Sequence, residues 1–179
     1  MPSPRLTAIL AALRDPRRLR RWALELLILI AIVGAVTLWQ NRGLPEGVAP
    51  PLAGVRTDGS LAKVGSGGTA SLVVFWATWC PVCRAEEGNI EAIAADRPVI
   101  SVAMQSGDAA TVAKYLKERG LAVPAVIDAD GAIAADWRVR ATPTHFVLDP
   151  AGNIRFRVVG YATTPGLRAR LWWAETFPA

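Results

Sequence analysis

The sequence predicts an α/β protein with a mixed β-sheet, helices on both faces of the sheet, and one N-terminal transmembrane helix before it. Three observations support this prediction. An apolar run covers residues 22–39, and strand-like and helix-like segments alternate from residue 71 onward. The 179 residues are 52% hydrophobic and 20% charged, which is enough apolar material to bury the core of one domain. Extended disorder is therefore excluded.

The net charge of +5 lies entirely at the N-terminus. Residues 1–21 contain six arginines and one acidic residue, Asp15, whereas basic and acidic residues balance over residues 22–179. A nucleic-acid-binding surface would need excess basic residues on the folded domain, so no nucleic acid is expected as a partner. We interpret residues 1–21 as a basic cytoplasmic segment.

Residues 22–39 have the length and composition of a membrane span. As a helix this run is roughly 27 Å long, close to the thickness of the hydrocarbon core. Trp22 and Trp39 stand at its ends, where tryptophan favours the membrane interface, and the single charge, Glu25, can pair with Arg21. A buried core helix would show a polar face, and a cleaved signal peptide would need small residues before the cleaved bond. We therefore expect an uncleaved anchor embedded in the lipid bilayer.

The arginines also predict the orientation of this anchor. Basic residues mark the cytoplasmic side of a membrane span, so the N-terminus is expected in the cytoplasm and residues 40–179 outside it. In a Gram-negative bacterium this places a single-pass protein in the inner membrane with its domain in the periplasm, where cysteine pairs can be oxidised.

The segment after the anchor is expected to be a linker. Residues 40–54 are rich in Gly and Pro, which predicts a semi-rigid spacer before a domain at 55–179. A hairpin around Asp58 and Gly59 follows, then a loop at 65–69. The continuous apolar runs at 71–76 and 98–104 are typical of strands buried on both faces.

The remaining elements follow from capping and turn residues. A helix over 81–96 has Pro81 in its first turn, and a helix over 108–119 has Asp108 as N-cap and Gly120 as its stop. The pattern then predicts a short strand over 123–128, a hairpin of strands 144–148 and 154–159 around a turn at 149–153, and a closing helix over 164–176.

Both cysteines of the chain lie in one Cys-Pro-Val-Cys motif, where the first buried strand ends and a helix begins. Cys80 would stand at the helix N-terminus, where free N–H groups and the helix dipole favour a thiolate. Cys83 follows one turn later, within reach of a disulfide. The pair can therefore alternate between dithiol and disulfide, with Cys80 attacking and Cys83 resolving the mixed disulfide.

Two alternatives are a purely structural disulfide and a metal-binding pair. A disulfide between residues three apart closes too small a loop to add much stability. Redox chemistry is favoured by the junction of strand and helix. A second signal is Pro143, which directly precedes a strand, where a cis Thr142–Pro143 bond would fit, although an ordinary trans proline in a loop is the alternative.

Together these motifs resemble the thioredoxin superfamily. The resemblance rests on residues 75–83 (Phe-Trp-Ala-Thr-Trp-Cys-Pro-Val-Cys), on Thr-Pro-Thr at 142–144, and on Val-Leu-Asp-Pro-Ala-Gly-Asn-Ile at 147–154. Within that superfamily the chain is similar to the membrane-anchored TlpA/ResA/CcmG branch. The Cys-Pro-Val-Cys motif and the Arg-Leu-Trp-Trp ending resemble ScsD-type disulfide oxidoreductases. The likeness covers residues 50–179.

The resemblance implies roles for individual residues. Cys80 matches the exposed nucleophile of the family and Cys83 its resolving cysteine. Trp79 matches the tryptophan flanking the nucleophile, Pro143 the cis-proline that packs against the disulfide, and Thr142 the backbone position that pairs with a substrate strand. Pro81 completes the motif at the first turn of the helix.

Glu86 matches the acidic residue that tunes thiol acidity in the ResA-like branch. The chain has Val74 where cytosolic thioredoxins have a buried aspartate, so Glu86 is the candidate replacement for that acid. The alternative is a solvated helix glutamate beside Glu87.

The expected function is thiol–disulfide exchange with protein substrates, without a cofactor and with a membrane electron-transfer protein as redox partner. Pro81 and Val82 add no charge between the cysteines, which favours a reductase over a strong oxidant. The alternative is a copper-delivery module of the Sco type using Cys80, Cys83 and His145, the only histidine. A packed strand histidine is the expectation we favour for His145.

Overall fold

The computed structural model describes residues 16–64 and 68–179. The chain divides into two compact units between Arg42 and Gly43. Most of the predicted basic segment, residues 1–15, and part of the predicted loop, residues 65–67, lie outside the described residues.

The described part of the first unit is dominated by one helix, α1 (Pro16–Gln40). Its apolar stretch within Arg17–Gln40 has a mean hydropathy of 2.2, and none of it is buried. The helix is long and apolar enough to cross a membrane, which fits the predicted single transmembrane anchor. As expected, the Arg21 Nε atom donates to Glu25 Oε1 at 3.0 Å. The helix also includes residues 17–21, which carry four arginines of the predicted basic segment.

The second unit is built on a mixed sheet that has six strands within the described residues. The three strands at one side of the sheet, residues 71–76, 99–104 and 125–128, run parallel, and every other pair of neighbouring strands is antiparallel. In spatial order the strands are β1 (Gly47–Val48), β8 (Asn153–Val159), β7 (Thr144–Leu148), β4 (Ser71–Trp76), β5 (Val99–Met104) and β6 (Ala125–Asp128). A separate hairpin pairs β2 (Ala53–Val55) with β3 (Leu61–Lys63), around the predicted Asp-Gly turn.

Helices cover both faces of this sheet, as predicted. One face carries α2 (Pro81–Ala94), α3 (Ala109–Arg119) and α5 (Thr164–Thr176). The other face carries α4 (Ala132–Asp136) and the β2–β3 hairpin. Alternate residues along each buried strand point to the two faces, so the continuous apolar runs in β4 and β5 serve both cores.

The predicted caps of α3 are confirmed. The Asp108 carboxylate accepts the N–H of Thr111 at 2.8 Å, which satisfies one free donor of the first turn. Gly120 ends the helix in the left-handed conformation with φ of 67°. Helix α4 was not predicted because five residues are too short to show a helical period. The Asp128 carboxylate holds its first turn by accepting the N–H groups of Ile133 and Ala134.

The expected spacer at 40–54 differs in the structure. Leu44 and Leu52 are 8% and 3% exposed and pack in the core beside β4 and β5. Strand β1 pairs with β8, with Gly47 opposite Ile154. The Pro- and Gly-rich composition predicted a detached linker, but the two leucines anchor this segment to the domain, since their burial removes apolar surface from water. The compact unit therefore begins at Gly43 and not at residue 55.

The buried carboxylate of Asp149 organises the turn between β7 and β8. It accepts the N–H groups of Ala151, Asn153 and Ala179 and the side-chain amide of Asn153. Burial raises the pKa of Asp149, but these hydrogen bonds outweigh burial and hold the pKa below its usual value of 3.8. The ionised carboxylate therefore stabilises the folded state.

We expect Asp149→Ala to lower the free energy of unfolding by about 3 kcal/mol at pH 7, because several buried N–H groups lose their charged acceptor. A carboxyl with a depressed folded pKa stabilises fully above its unfolded pKa, and this contribution is lost as pH falls through the folded pKa. The difference between variant and wild type should therefore shrink below about pH 4. Urea unfolding in detergent at pH 7 and pH 3, followed by near-UV circular dichroism, measures both effects.

Asp136→Ala is the matched control, because Asp136 is exposed at the end of α4. It should change the free energy of unfolding by less than about 0.5 kcal/mol. An Asp149→Ala protein as stable as this control at pH 7 would contradict the role of the carboxylate.

Candidate active site

The two cysteines lie where β4 ends and α2 begins. Cys80 is the N-cap of α2, in extended conformation, and Pro81 follows in the first turn. The backbone N–H of Cys83 donates to Cys80 Sγ at 3.1 Å. The free N–H groups and the dipole of a helix N-terminus stabilise negative charge, so this position favours a thiolate on Cys80 after reduction.

Cys80 and Cys83 form a disulfide, with their Cα atoms 5.3 Å apart. This separation lies within the ordinary range for disulfides. The predicted proximity of the two cysteines is therefore confirmed, and oxidation and reduction need little movement of α2.

The expected exposure of Cys80 is wrong for this disulfide state. Cys80 and Cys83 are only 3% and 5% exposed. The Cys80 Sγ atom lies 3.5 Å from the carbonyl oxygen of Thr142, in the segment before β7. The two residues are 62 positions apart in sequence, so the family resemblance pointed to their proximity and no local pattern did.

The segment before β7, which covers Cys80, contains the cis peptide bond that the sequence suggested. The Thr142–Pro143 peptide is cis, and Pro143 is buried. The Pro143 carbonyl accepts the N–H of Gly160 at 2.8 Å, and the Thr144 hydroxyl donates to the Ala141 carbonyl. The Thr142 carbonyl therefore lies beside Cys80, and the cis-proline is the next residue along the chain.

Two exposed apolar side chains lie next to the cysteines in the sequence. Trp79 is 58% exposed, and its indole N–H donates to the Gln105 carbonyl at 3.0 Å, which fixes the ring. Val82, between the cysteines, is 42% exposed. These exposed apolar side chains next to the cysteines offer contact area to another protein.

Glu86 is buried inside the domain and is not a solvated helix glutamate. Only 2% of the residue is exposed. Its Oε1 atom lies 2.9 Å from His145 Nε2, and its Oε2 atom accepts the N–H of Ala162 at 3.0 Å. Sequence reasoning proposed Glu86 as a candidate but did not find its partner, because His145 lies 59 residues away.

His145 is a packed strand histidine, as favoured. It is fully buried in β7, with Nδ1 3.2 Å from the Val158 carbonyl oxygen. Both ring nitrogens are therefore engaged in hydrogen bonds, and neither is offered to a metal beside the cysteines. Among the described residues, no group of three His, Cys, Asp or Glu side chains could hold a metal ion. The copper-delivery alternative is not supported.

A cavity of about 40 Å³ lies behind the disulfide, and Cys83 and Glu86 both line it. Its wall on the sheet is uncharged and includes Val74, Trp76 and Ser101. The Trp76 indole N–H donates to the Ser101 hydroxyl at 2.6 Å. Position 74, where cytosolic thioredoxins have a buried aspartate, holds the apolar Val74. Glu86 is therefore the candidate acid, and it is the first acidic residue after Cys83 along α2.

A second carboxylate, Glu87, joins α2 to α3. Its two oxygens accept from the Tyr115 hydroxyl at 2.7 Å and from the Arg119 guanidinium at 2.7 Å. Burial and the hydrogen bond to Glu87 raise the pKa of Tyr115 to about 12. The sequence analysis predicted the helix but not this network, which supports the wall of the cavity.

Comparison with known proteins identifies the family. Residues 41–171 match the family model of Redoxin. The chain belongs to the Redoxin family. A thioredoxin-like protein from Haemophilus influenzae is 36% identical over 108 residues, which are 60% of this chain and 64% of that protein. A thiol:disulfide interchange protein DsbE from Escherichia coli is 29% identical over 170 residues, which are 85% of this chain and 89% of that protein.

The fold of this Redoxin domain has solved counterparts. StoA from Bacillus subtilis matches with a TM-score of 0.61 and 22% identity, covering 69% of this chain and 97% of that structure. The predicted thioredoxin-like fold, and the resemblance to the thioredoxin superfamily and its CcmG-like branch, are confirmed.

Proposed function

We propose that this protein is a membrane-anchored thiol–disulfide oxidoreductase that exchanges disulfides with protein substrates. The observation that carries the proposal is the Cys80–Cys83 disulfide at the N-terminus of α2, with the Cys83 N–H aimed at Cys80 Sγ. A redox-active pair needs one sulfur stabilised as a thiolate and a second sulfur within bonding distance. The names of the interchange-protein relatives support the same activity.

The reaction proceeds through a mixed disulfide. The Cys80 thiolate attacks a substrate disulfide, and one substrate sulfur leaves as a thiolate that takes up a proton. Cys83 then loses its proton and attacks Cys80 Sγ, which releases the second substrate sulfur. The substrate gains two electrons and two protons, and the Cys80–Cys83 disulfide is formed.

The neighbouring residues support this reaction in different ways. Trp79 and Val82 offer apolar contact area to a substrate, and Pro81 starts the helix whose N-terminus holds the Cys80 thiolate. The backbone of Thr142 beside Cys80 pairs with an extended substrate strand, and the cis-proline Pro143 packs against the disulfide. Glu86 acts on the proton of Cys83.

The proposed location rests on α1 and on the arginines at its start. We infer that it anchors the protein in a bacterial inner membrane with the N-terminus in the cytoplasm and the Redoxin domain in the periplasm, supported by the arginines before the apolar run. Electrons must then reach the disulfide from outside the domain. A membrane electron-transfer protein is the proposed source.

Trapping of the mixed disulfide tests the proposal. The full-length Cys83→Ala protein, expressed in host membranes, should accumulate adducts that dithiothreitol releases, because no second sulfur can resolve them. Non-reducing gels followed by mass spectrometry identify the adducts. Cys80→Ala/Cys83→Ala is the matched control, and adducts no more abundant than in this control would contradict the mechanism.

The proposed direction is reduction of the substrate. Pro81 and Val82 place no charge or side-chain donor between the cysteines, so the Cys80 thiolate is stabilised by the helix end without help from this dipeptide. We expect the full chain in detergent, equilibrated with glutathione buffers, to have a reduction potential of roughly −200 mV or more negative. A value near −120 mV, roughly that of a strong periplasmic oxidant, would overturn this direction.

A further inference from the structure

His145 and Glu86 form a buried pair between β7 and α2. His145 is 0% exposed and Glu86 is 2% exposed. Three hydrogen bonds hold the pair: Glu86 Oε2 accepts the Ala162 N–H, His145 Nδ1 contacts the Val158 carbonyl, and His145 Nε2 contacts Glu86 Oε1. Neither side chain can exchange protons directly with solvent at these exposures.

The hydrogen bonds determine how many protons the pair holds. A carbonyl oxygen can only accept, so the hydrogen bond to Val158 requires a proton on His145 Nδ1. The 2.9 Å contact between His145 Nε2 and Glu86 Oε1 requires one further proton, carried either by the carboxyl or by the imidazole. Both arrangements have zero net charge. Without that proton, two lone pairs would face each other inside the protein.

This shared proton lies close to Cys83. Glu86 follows Cys83 by three residues on α2, so the two side chains lie on the same face of the helix. Both line the cavity of about 40 Å³ behind the disulfide, which is large enough for a water molecule that could carry a proton. Val74, the register partner of His145 on β4, also lines this cavity and has no proton to give.

The other titratable groups of this region are committed to structural bonds. Glu87 and Glu91 also line the cavity. Glu87 accepts from Tyr115 and Arg119 on α3, and Glu91 Oε1 accepts the backbone N–H groups of residues 122 and 123. Glu86 and His145 are therefore the pair best placed to give Cys83 a proton.

We infer that His145 is a positioning residue that holds the shared proton on Glu86, and that the Glu86–His145 pair is the acid and base of Cys83. This inference rests on the proposed function. In the disulfide state the pair holds the shared proton. When an incoming thiolate attacks Cys80 Sγ, the S–S bond breaks, and Cys83 leaves as a thiolate that takes this proton from the pair. When Cys83 later attacks Cys80 Sγ in a mixed disulfide, its thiol proton returns to the pair, and the departing substrate thiolate takes its own proton from solvent.

A stopped-flow reaction of the reduced full-length protein in detergent with one equivalent of 5,5′-dithiobis(2-nitrobenzoate) separates the two cysteines. The first thionitrobenzoate is released when Cys80 attacks the reagent. The second is released when Cys83 attacks Cys80 Sγ, in a step that does not depend on protein concentration. His145→Asn keeps a donor for the Val158 carbonyl and removes the group that faces Glu86 Oε1.

We expect the second phase of His145→Asn to be about 10²-fold slower than that of wild type at pH 7. The rate of this phase should rise with pH with a midpoint of about 8.5, the ordinary pKa of cysteine. Glu86→Gln should show the same loss, and the double variant should be no slower than either single variant, because the two residues act as one unit. Glu87→Gln is the matched control and should retain the wild-type second phase. The first phase should be unchanged in all variants.

The possible outcomes distinguish a failure of this inference from a failure of the proposed function. A His145→Asn protein with the rate and pH profile of wild type in the second phase would overturn the role of His145. Equal slowing by Glu87→Gln would overturn the role of the pair, since it would indicate a general disturbance of α2. A wild-type protein that releases no thionitrobenzoate in the first phase would instead contradict the proposed oxidoreductase.

Discussion

Cys80→Ser is expected to reduce disulfide exchange by roughly a thousandfold or more, to the uncatalysed background. A serine oxygen cannot form the mixed disulfide through which electrons pass, and the remaining Cys83 does not occupy the N-cap position of α2. Turnover is measured as reduction of insulin disulfides by dithiothreitol with the full-length protein in detergent. Cys83 alone should not support turnover in this variant.

The variant also separates chemistry from folding. Serine is a preferred N-cap residue, so its oxygen can accept the Cys83 N–H that Cys80 Sγ accepts in the wild type. The melting temperature should therefore match that of the reduced wild-type protein. Cys83→Ser, the companion variant, should still form adducts through Cys80. Turnover above about a tenth of wild type in Cys80→Ser would contradict the assignment of the nucleophile.

Trp137→Ala is expected to lower the free energy of unfolding by about 3–5 kcal/mol, the usual cost of removing a large buried aromatic ring. Trp137 is fully buried at the end of α4 and packs against Phe75 and Phe146, with ring centroids 5.5 Å and 4.9 Å away. These three rings join α4 to the sheet on the face opposite α2. Urea unfolding of the detergent-solubilised protein measures the loss.

Trp137→Phe is the matched control for this core. The indole N–H of Trp137 is buried and has no hydrogen-bond partner within residues 16–64 and 68–179. Phenylalanine retains an aromatic ring and removes that unpaired donor, so we expect a loss of only about 1 kcal/mol. A loss as large as that of Trp137→Ala would mean that the indole ring itself, and not apolar packing, stabilises α4.

Much of the fold was predictable because its signals are local. Strands β4 and β5 are continuous apolar runs, and α3 begins at a capping aspartate and ends at a glycine. Helix α5 is observed over the predicted residues 164–176. By contrast, α4 lacks a visible period, and the segment at 43–54 has the composition of a linker although its leucines are buried.

In the candidate site, too, the features with local sequence signals were predictable and the long-range contacts were not. The sequence alone determined that Cys80 and Cys83 share the first turn of a helix after a buried strand, because apolar periodicity and Pro81 mark that junction within a few residues. Only the tertiary structure decided that Thr142 covers Cys80 and that Glu86 is buried against His145. Those contacts join residues about 60 positions apart, and their formation depends on how β7 and α2 pack and not on any local preference.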